Sequence, residues 1–324
     1  MINFRYHLAS LIAVFLALAV GVVMGSTVID RAIVDGLRDR INTVEAKADA
    51  TKAENDQLRS EVDRTEGYVD ASAPFAVEGR LKGVPVQIFA VRGASDADVR
   101  RSVQRYQSAG AFVTGFLWVE PAWALPDAAA KAKLAEAAGI PVSTPRAMRA
   151  AAWKAVAAEL AAMNPAVEVP LDPAATTTSA PAVAGVIARL TAAGFFGVQN
   201  VEGAVSAVIA GRSVRVVLVT ATRNQVDVPG LLAVEATATV GAGLPTLAAE
   251  DYEDVDGGPD RGSTLAPVLG NAELAAEVST VDYYEITEGH VAAAIALQQL
   301  AAGTIGHYGY GNGANQSFPT EVAP

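Results

Sequence analysis

Histidine occurs only at positions 7, 290 and 307, and cysteine does not occur. Disulfides, thiolate metal sites and cysteine nucleophiles are therefore excluded. The densest chemistry lies near the C-terminal end, in Gly303-Thr304-Ile305-Gly306-His307-Tyr308-Gly309-Tyr310-Gly311-Asn312-Gly313. Repeated glycine permits positive φ and close backbone approach. Imidazole is a suitable donor for Cu(II), so His307 is the first candidate metal ligand. Gly306, Tyr308, Gly309, Tyr310 and Gly311 then form a ligand loop around it. The competing reading is a compact loop packed on its domain with one satisfied histidine, because a single imidazole is a poor cage.

His290, in Glu288-Gly289-His290, is a second candidate ligand, or simply a residue at the start of a helix. The acidic run Glu250-Asp251-Tyr252-Glu253-Asp254-Val255-Asp256-Gly257-Gly258-Pro259-Asp260 has hard oxygen donors but lacks the EF-hand spacing. It reads as a solvated surface loop. No GxSxG, HExxH or Walker loop occurs, and Gly241-Ala242-Gly243 lacks the rest of a dinucleotide fingerprint. No catalytic residue is assigned, and the chain is read as a non-enzyme. A net charge of −11 argues against nucleic acid and anionic membrane surfaces as partners of the soluble part.

The elements that position these residues begin with Leu8–Ile29, 22 residues without a charge. At ~1.5 Å per residue this reaches ~33 Å, enough to cross a bilayer core. A cleaved signal peptide ending near Ala17-Leu18-Ala19 is the competitor. The apolar run continues past that point, which favours an uncleaved signal-anchor. Flanking charges leave its orientation open, since Arg5 stands on one side and Arg31, Arg38 and Arg40 on the other. Ala13, Ala17, Gly21 and Gly25 share one helix face, and Gly21 to Gly25 is a GxxxG.

From Asp30 to Glu66 there are ten acids, seven bases and no proline. Val34, Leu37, Ile41, Val44, Ala48, Thr51, Asn55, Leu58, Val62, Thr65 and Val69 alternate spacings of three and four, the pattern of a coiled-coil seam. A solvated single helix with ion pairs is the alternative. The spacing and the upstream GxxxG together point to a parallel homodimer through Gly21, Gly25, Leu37, Ile41, Val44, Leu58 and Val62.

From about residue 71 apolar strands alternate with helices. Strands are expected at Val84–Val91, Ala111–Val119, Ala204–Ala210, Val214–Ala221 and Leu244–Ala249. Helices are expected at Asp96–Ala109, Asp127–Ala138, Arg146–Met163, the stretch ending at Ala193, Val226–Ala238 and Val291–Ala302. This predicts a mostly parallel, Rossmann-like α/β region over 71–324. If it divides, it divides at the Pro/Thr-rich link 169–181.

Particular segments at both ends carry a resemblance. They are Arg5-Tyr6-His7-Leu8-Ala9-Ser10-Leu11, Ala13-Val14-Phe15-Leu16-Ala17-Leu18-Ala19 with Gly21-Val22, Ser279-Thr280-Val281-Asp282, and Gly306-His307-Tyr308-Gly309 with Gly311 and Gly313-Ala314. In this order they resemble the MctB-type copper transport protein family of actinobacteria; between them the likeness is one of layout. The resemblance implies copper efflux or homeostasis, copper as the metal, and a cell-envelope location. Some family members are described as channel-forming outer-membrane proteins. It also implies a single-pass protein of the cell membrane with the residues after Ile29 outside the cytoplasm.

Two physical points stand beside it. Cu(I) favours soft sulfur ligands, and Met1, Met24, Met148 and Met163 form no cluster in the sequence. One apolar helix per chain cannot enclose a pore. Two functions follow. One is an envelope protein that binds or moves copper through His307 and His290. The other is a dimeric scaffold or regulator that presents an α/β domain to a cell-envelope enzyme or efflux complex.

Overall fold

The computed structural model describes residues 4–113, 115–162, 185–200, 213–226 and 228–320, with the main chain alone at 26–33. The expected strand Ala204–Ala210 and the link 169–181 lie outside these residues. The chain forms two compact units, Met1–Gly67 and Tyr68–Pro324.

The first unit is helical. It belongs to α1 (Phe4–Val77), whose only proline, Pro74, falls in the last turns. Phe4–Gly25 is the one helical segment among the described residues long and apolar enough to cross a membrane. It begins four residues earlier than the uncharged run, because a helix tolerates Arg5 and His7 at an interface. Beyond it Leu37, Ile41, Val44, Leu58 and Val62 are all exposed in the single chain. The ion pairs Asp35–Arg38 (3.7 Å) and Asp56–Arg59 (4.0 Å) are solvated and contribute little.

In the second unit the order is β1 (Val86–Val91), α2 (Asp96–Ser108), β2 (Gly115–Val119), a 3-10 turn (Pro121–Ala124), α3 (Ala128–Ala138), α4 (Pro145–Ala162), α5 (Val186–Ala192) and β3 (Phe196–Asn200). Then come β4 (Arg215–Ala221), α6 (Leu231–Gly241), β5 (Thr246–Asp251), α7 (Ala266–Leu269), α8 (Ala272–Ala275), β6 (Val278–Val281), α9 (Thr287–Leu300) and β7 (His307–Tyr308). One sheet in the order β3-β2-β1-β4-β5-β6-β7 draws strands from both sides of the 169–181 link. All neighbours are parallel except β2 and β3. The strand order reverses between β1 and β4, as in doubly wound sheets.

Burial on both faces explains why β1, β2 and β4 are mostly apolar rather than alternating. Phe89, Val91, Leu117, Val119, Val216 and Leu218 pack with α3 to α6, around Trp123 and Trp153. Ile88, Ala90, Phe116, Trp118, Val217 and Val219 pack with α2, α9 and the end of α1, where Ala73 and Val77 are buried. Local chemistry sets the helix ends. Ser95 caps α2 by accepting the Asp98 N–H, and Asp127 caps α3 by accepting the Ala130 N–H. Gly139 closes α3 with a φ of +69°.

The helix expected at Val226–Ala238 instead starts at Leu231. Pro229 and the left-handed Gly230 delay it, and Val226 and Val228 are buried in the preceding loop. That loop faces the strand-order reversal.

Candidate functional site

In a doubly wound sheet, ligands are taken at the carboxyl ends of the strands where the order reverses. The β1 and β4 loops meet there closely. Gly93 has a φ of +113°, and a Cβ on it would sit 1.9 Å from the Arg223 carbonyl oxygen. Only glycine fits. The Gln225 N–H donates to the Arg92 carbonyl at 2.7 Å and ties the two loops together.

Two cavities open at these strand ends. The first, about 470 Å³, is lined by Ser95 and Asp98 of the α2 start, Thr222 and Arg223 after β4, Asp251 at the end of β5 with Glu253 beyond it, and Glu285. The buried Asp251 carboxylate accepts the Ser95 N–H. Burial, with Asp98, Glu285 and Glu253 nearby, pushes its pKa up to about 6 against the Ser95 hydrogen bond. Arg223 pairs with Glu253 at 2.7 Å, and Arg261 pairs with Glu285 at 2.7 Å while lying over the Tyr252 ring. Acids outnumber the single lining cation, so this cleft favours cations over phosphates.

The second cavity, about 380 Å³, is lined by Val91, Thr220, Thr222, Leu231, Glu235 and Ser263, among others. Glu235 is 3% exposed, and burial raises its pKa to about 8. Neighbouring Glu250 is treated differently. Fully buried, it accepts from the Gly262 N–H, the Thr264 N–H (3.0 Å) and the Thr264 hydroxyl (2.6 Å).

The acidic run expected to be a solvated loop is thus corrected in part. Glu250 and Asp251 end the buried strand β5, and exposure begins at Glu253. The tertiary reason is that β5 is a central strand flanked by β4 and β6.

These carboxyls predict a pH dependence. Between about 4.5 and about 8 the folded chain keeps a proton on Glu235 that the unfolded chain has lost. Stability is therefore fullest below the unfolded value and falls as pH rises through the folded one. Asp251 acts in the same direction between 3.8 and about 6. The unfolding free energy from denaturant titration should decline by a few kcal/mol from about pH 5 to about pH 8. Glu235→Gln, which cannot ionise, should flatten the upper part of that decline; an unchanged slope would clear Glu235 as its source.

The glycine loop lies at the far edge of the sheet, where β7 pairs with β6. His307 is half-buried, and its Nδ1 lies 3.1 Å from the Thr280 hydroxyl; burial lowers its pKa. The Tyr308 hydroxyl donates to Gln299 at 2.9 Å. Asp282, 2% exposed, accepts the N–H groups of Tyr310 (3.0 Å) and Gly311 (2.8 Å). A Cβ on Gly309 would meet its carboxylate at 2.0 Å, and one on Gly311 would meet the Arg261 carbonyl at 2.3 Å. The Ser279 hydroxyl accepts the Gly306 N–H at 3.2 Å. The glycines are thus required by a main chain wrapped onto Asp282 and Arg261, and Tyr310 remains exposed at the rim.

His290 lies elsewhere, on α9, at 1% exposure beneath the edge-on ring of Tyr284. Burial, with Arg101 and Arg105 nearby, lowers its pKa to about 3, so the ring is neutral. Its Nε2 has no partner among the described residues. No group of three or more His, Asp or Glu side chains placed to hold a metal ion occurs among the described residues.

The comparison with known proteins covers nearly the whole chain. The family model described as "Copper transport outer membrane protein, MctB" matches residues 1–319. The chain belongs to the MctB family. Proteins named copper transporter MctB from Mycobacterium bovis and from Mycobacterium tuberculosis are each 28% identical over 316 residues, covering 97% of this chain and 98% of theirs. The segments that carried the resemblance fall, in this MctB-family chain, on the apolar helix, on β6 and on the loop around β7.

Sequence reasoning missed Asp251, Glu235 and Asp282 as site-forming groups. A signal was present for each. Glu250-Asp251 directly follow the apolar run Leu247–Ala249 and so mark the carboxyl end of β5. Glu235 is the lone charge in Leu231–Gly241. Asp282 directly follows β6, at the carboxyl end of another strand.

Proposed function

We propose that this MctB-family protein handles copper in the cell envelope, contributing to efflux or homeostasis without catalysing a reaction. In this reading Phe4–Gly25 is an uncleaved signal-anchor that crosses the cell membrane once, and the α/β unit is extracytoplasmic. The observation that carries it is the family match over residues 1–319, joined to one helix apolar enough to span. The relatives' printed name, copper transporter, supplies the cargo.

Self-association through α1 belongs to the same reading. Leu37, Ile41, Val44, Leu58 and Val62 lie exposed at coiled-coil spacing, and a Cβ on Gly21 or Gly25 would meet nothing within 4 Å. That face is open to a second copy. As Cu(II) donors, His307 is the more accessible and His290 the more enclosed. Oxygen and imidazole donors suit Cu(II) better than Cu(I).

Titrating copper(II) into the full chain in detergent tests this. Saturable binding is expected, weakened at least about tenfold in His307→Ala, with the circular dichroism of the α/β unit unchanged. Absence of saturable binding in the wild type would defeat direct copper handling by this chain. It would leave the second reading, a dimeric scaffold or regulator serving a cell-envelope enzyme or efflux complex. The exposed seam residues of α1 favour that reading.

A further inference from the structure

We propose that the cavity between the carboxyl end of β4 and the start of α6 binds a small organic cation, a primary ammonium on a short aliphatic body, with Glu235 as its counter-ion. This site is independent of the copper reading.

Buried polar atoms in folded proteins are almost always paired, so an unpaired one calls for an explanation. Two such atoms belong to residues of this one cavity. The Glu235 carboxyl makes no hydrogen bond among the described residues, and its Oε1 is buried without a partner. The Ser263 hydroxyl is likewise buried without one. Glu250, near the end of β5, shows the contrast. Where a buried carboxylate serves only the fold, three donors satisfy it. Glu235 and Ser263 instead line an open volume of about 380 Å³.

The chemistry of the walls narrows the ligand. A lone carboxyl, protonated or ionised, offers no positive charge to phosphates or carboxylates, and the β1 loop Arg92-Gly93-Ala94-Ser95 lacks the glycine fingerprint of a dinucleotide site. A divalent metal needs several oxygen ligands, and among the described residues Glu235 is the only ionisable side chain in this lining. A primary ammonium needs one counter-ion and neutral acceptors, which Glu235, Ser263 and Thr220 supply. Val91, Val226, Leu231 and Pro267 form an apolar wall for a short chain. The position, at the strand-order reversal, is where sheets of this topology take ligands.

Calorimetric titration of the full chain in detergent with n-butylamine, with butyrate and magnesium chloride in parallel, tests the proposal. Saturable butylamine binding is expected, with none for butyrate or magnesium. Glu235→Gln should weaken it at least about tenfold. Ser263→Leu, which fills the cavity without touching the carboxyl, should abolish it and covers the case of a misfolded Gln variant. No saturable amine binding, equal binding by Glu235→Gln, or preferential binding of magnesium or butyrate would each overturn the assignment.

Discussion

Asp282→Ala is expected to destabilise the α/β unit by about 3 kcal/mol and to release the loop after β7 first. The carboxylate is 2% exposed and accepts two main-chain N–H groups, from Tyr310 and Gly311. Hydrogen bonds to a charged acceptor contribute about 1.5–3 kcal/mol each, and the alanine leaves both donors unmet. Arg261 also donates to the Asp282 carbonyl at 2.8 Å, a contact the substitution keeps. The loop should therefore open first, ahead of the rest of the unit. Hydrogen exchange would show amides 306–316 deprotected well before those of β4 and β5. Gly309→Ala should behave similarly, since its Cβ would meet the same carboxylate. If Asp282→Ala unfolds at wild-type denaturant concentration, the glycine motif is not a structural wrap and must be explained by a ligand alone.

Trp153→Ala should cost about 3–5 kcal/mol, the range for removing a large buried aromatic. Its ring is fully buried, 5.1 Å from Phe89, 5.3 Å from Trp123 and 5.5 Å from Phe196 by centroid. It fastens α4 to the sheet. The more discriminating variant is Trp153→Phe. The Trp153 Nε1 is buried without a partner among the described residues, so the smaller ring sheds an unsatisfied donor along with its volume. Trp123 differs, because its Nε1 donates to the Phe195 carbonyl at 2.9 Å. Urea unfolding should therefore rank Trp153→Phe as milder than Trp123→Phe by about 1 kcal/mol. The reverse order would mean that packing shape outweighs donor satisfaction in this cluster.

Much of the fold was legible where a single element carries its own signal. Val86–Val91 and Arg215–Ala221 are strands because runs of branched and apolar residues, broken only by Gln87, Arg215 and Thr220, demand burial on both faces. The Ser95 cap and the Gly139 stop mark helix ends through short-range chemistry. The apolar helix and the 3–4 spacing of Val34 to Val69 needed only composition and periodicity. Strands Phe196–Asn200, Val278–Val281 and His307–Tyr308 were not legible. They are short, partly polar, and exist because β2, β5 and β6 respectively offer edges to pair with.

The site divides in the same way. The sequence alone determined the class: a helix long and apolar enough to cross a membrane, a long polar helix with apolar residues at 3–4 spacing, an α/β region, and end motifs that identify the family. Those properties are additive along the chain, each set by residues within a turn or two. Only the tertiary structure decided what the charged and glycine residues do. The acids at 250 and 251 are buried because a central strand carries them inward, and the Glu235 Oε1 is buried without a partner among the described residues. His307 meets Thr280, and Gly309 meets Asp282, only across a sheet edge 27 residues apart in sequence. Burial and pairing of that kind depend on which strands become neighbours, and no local spacing encodes it.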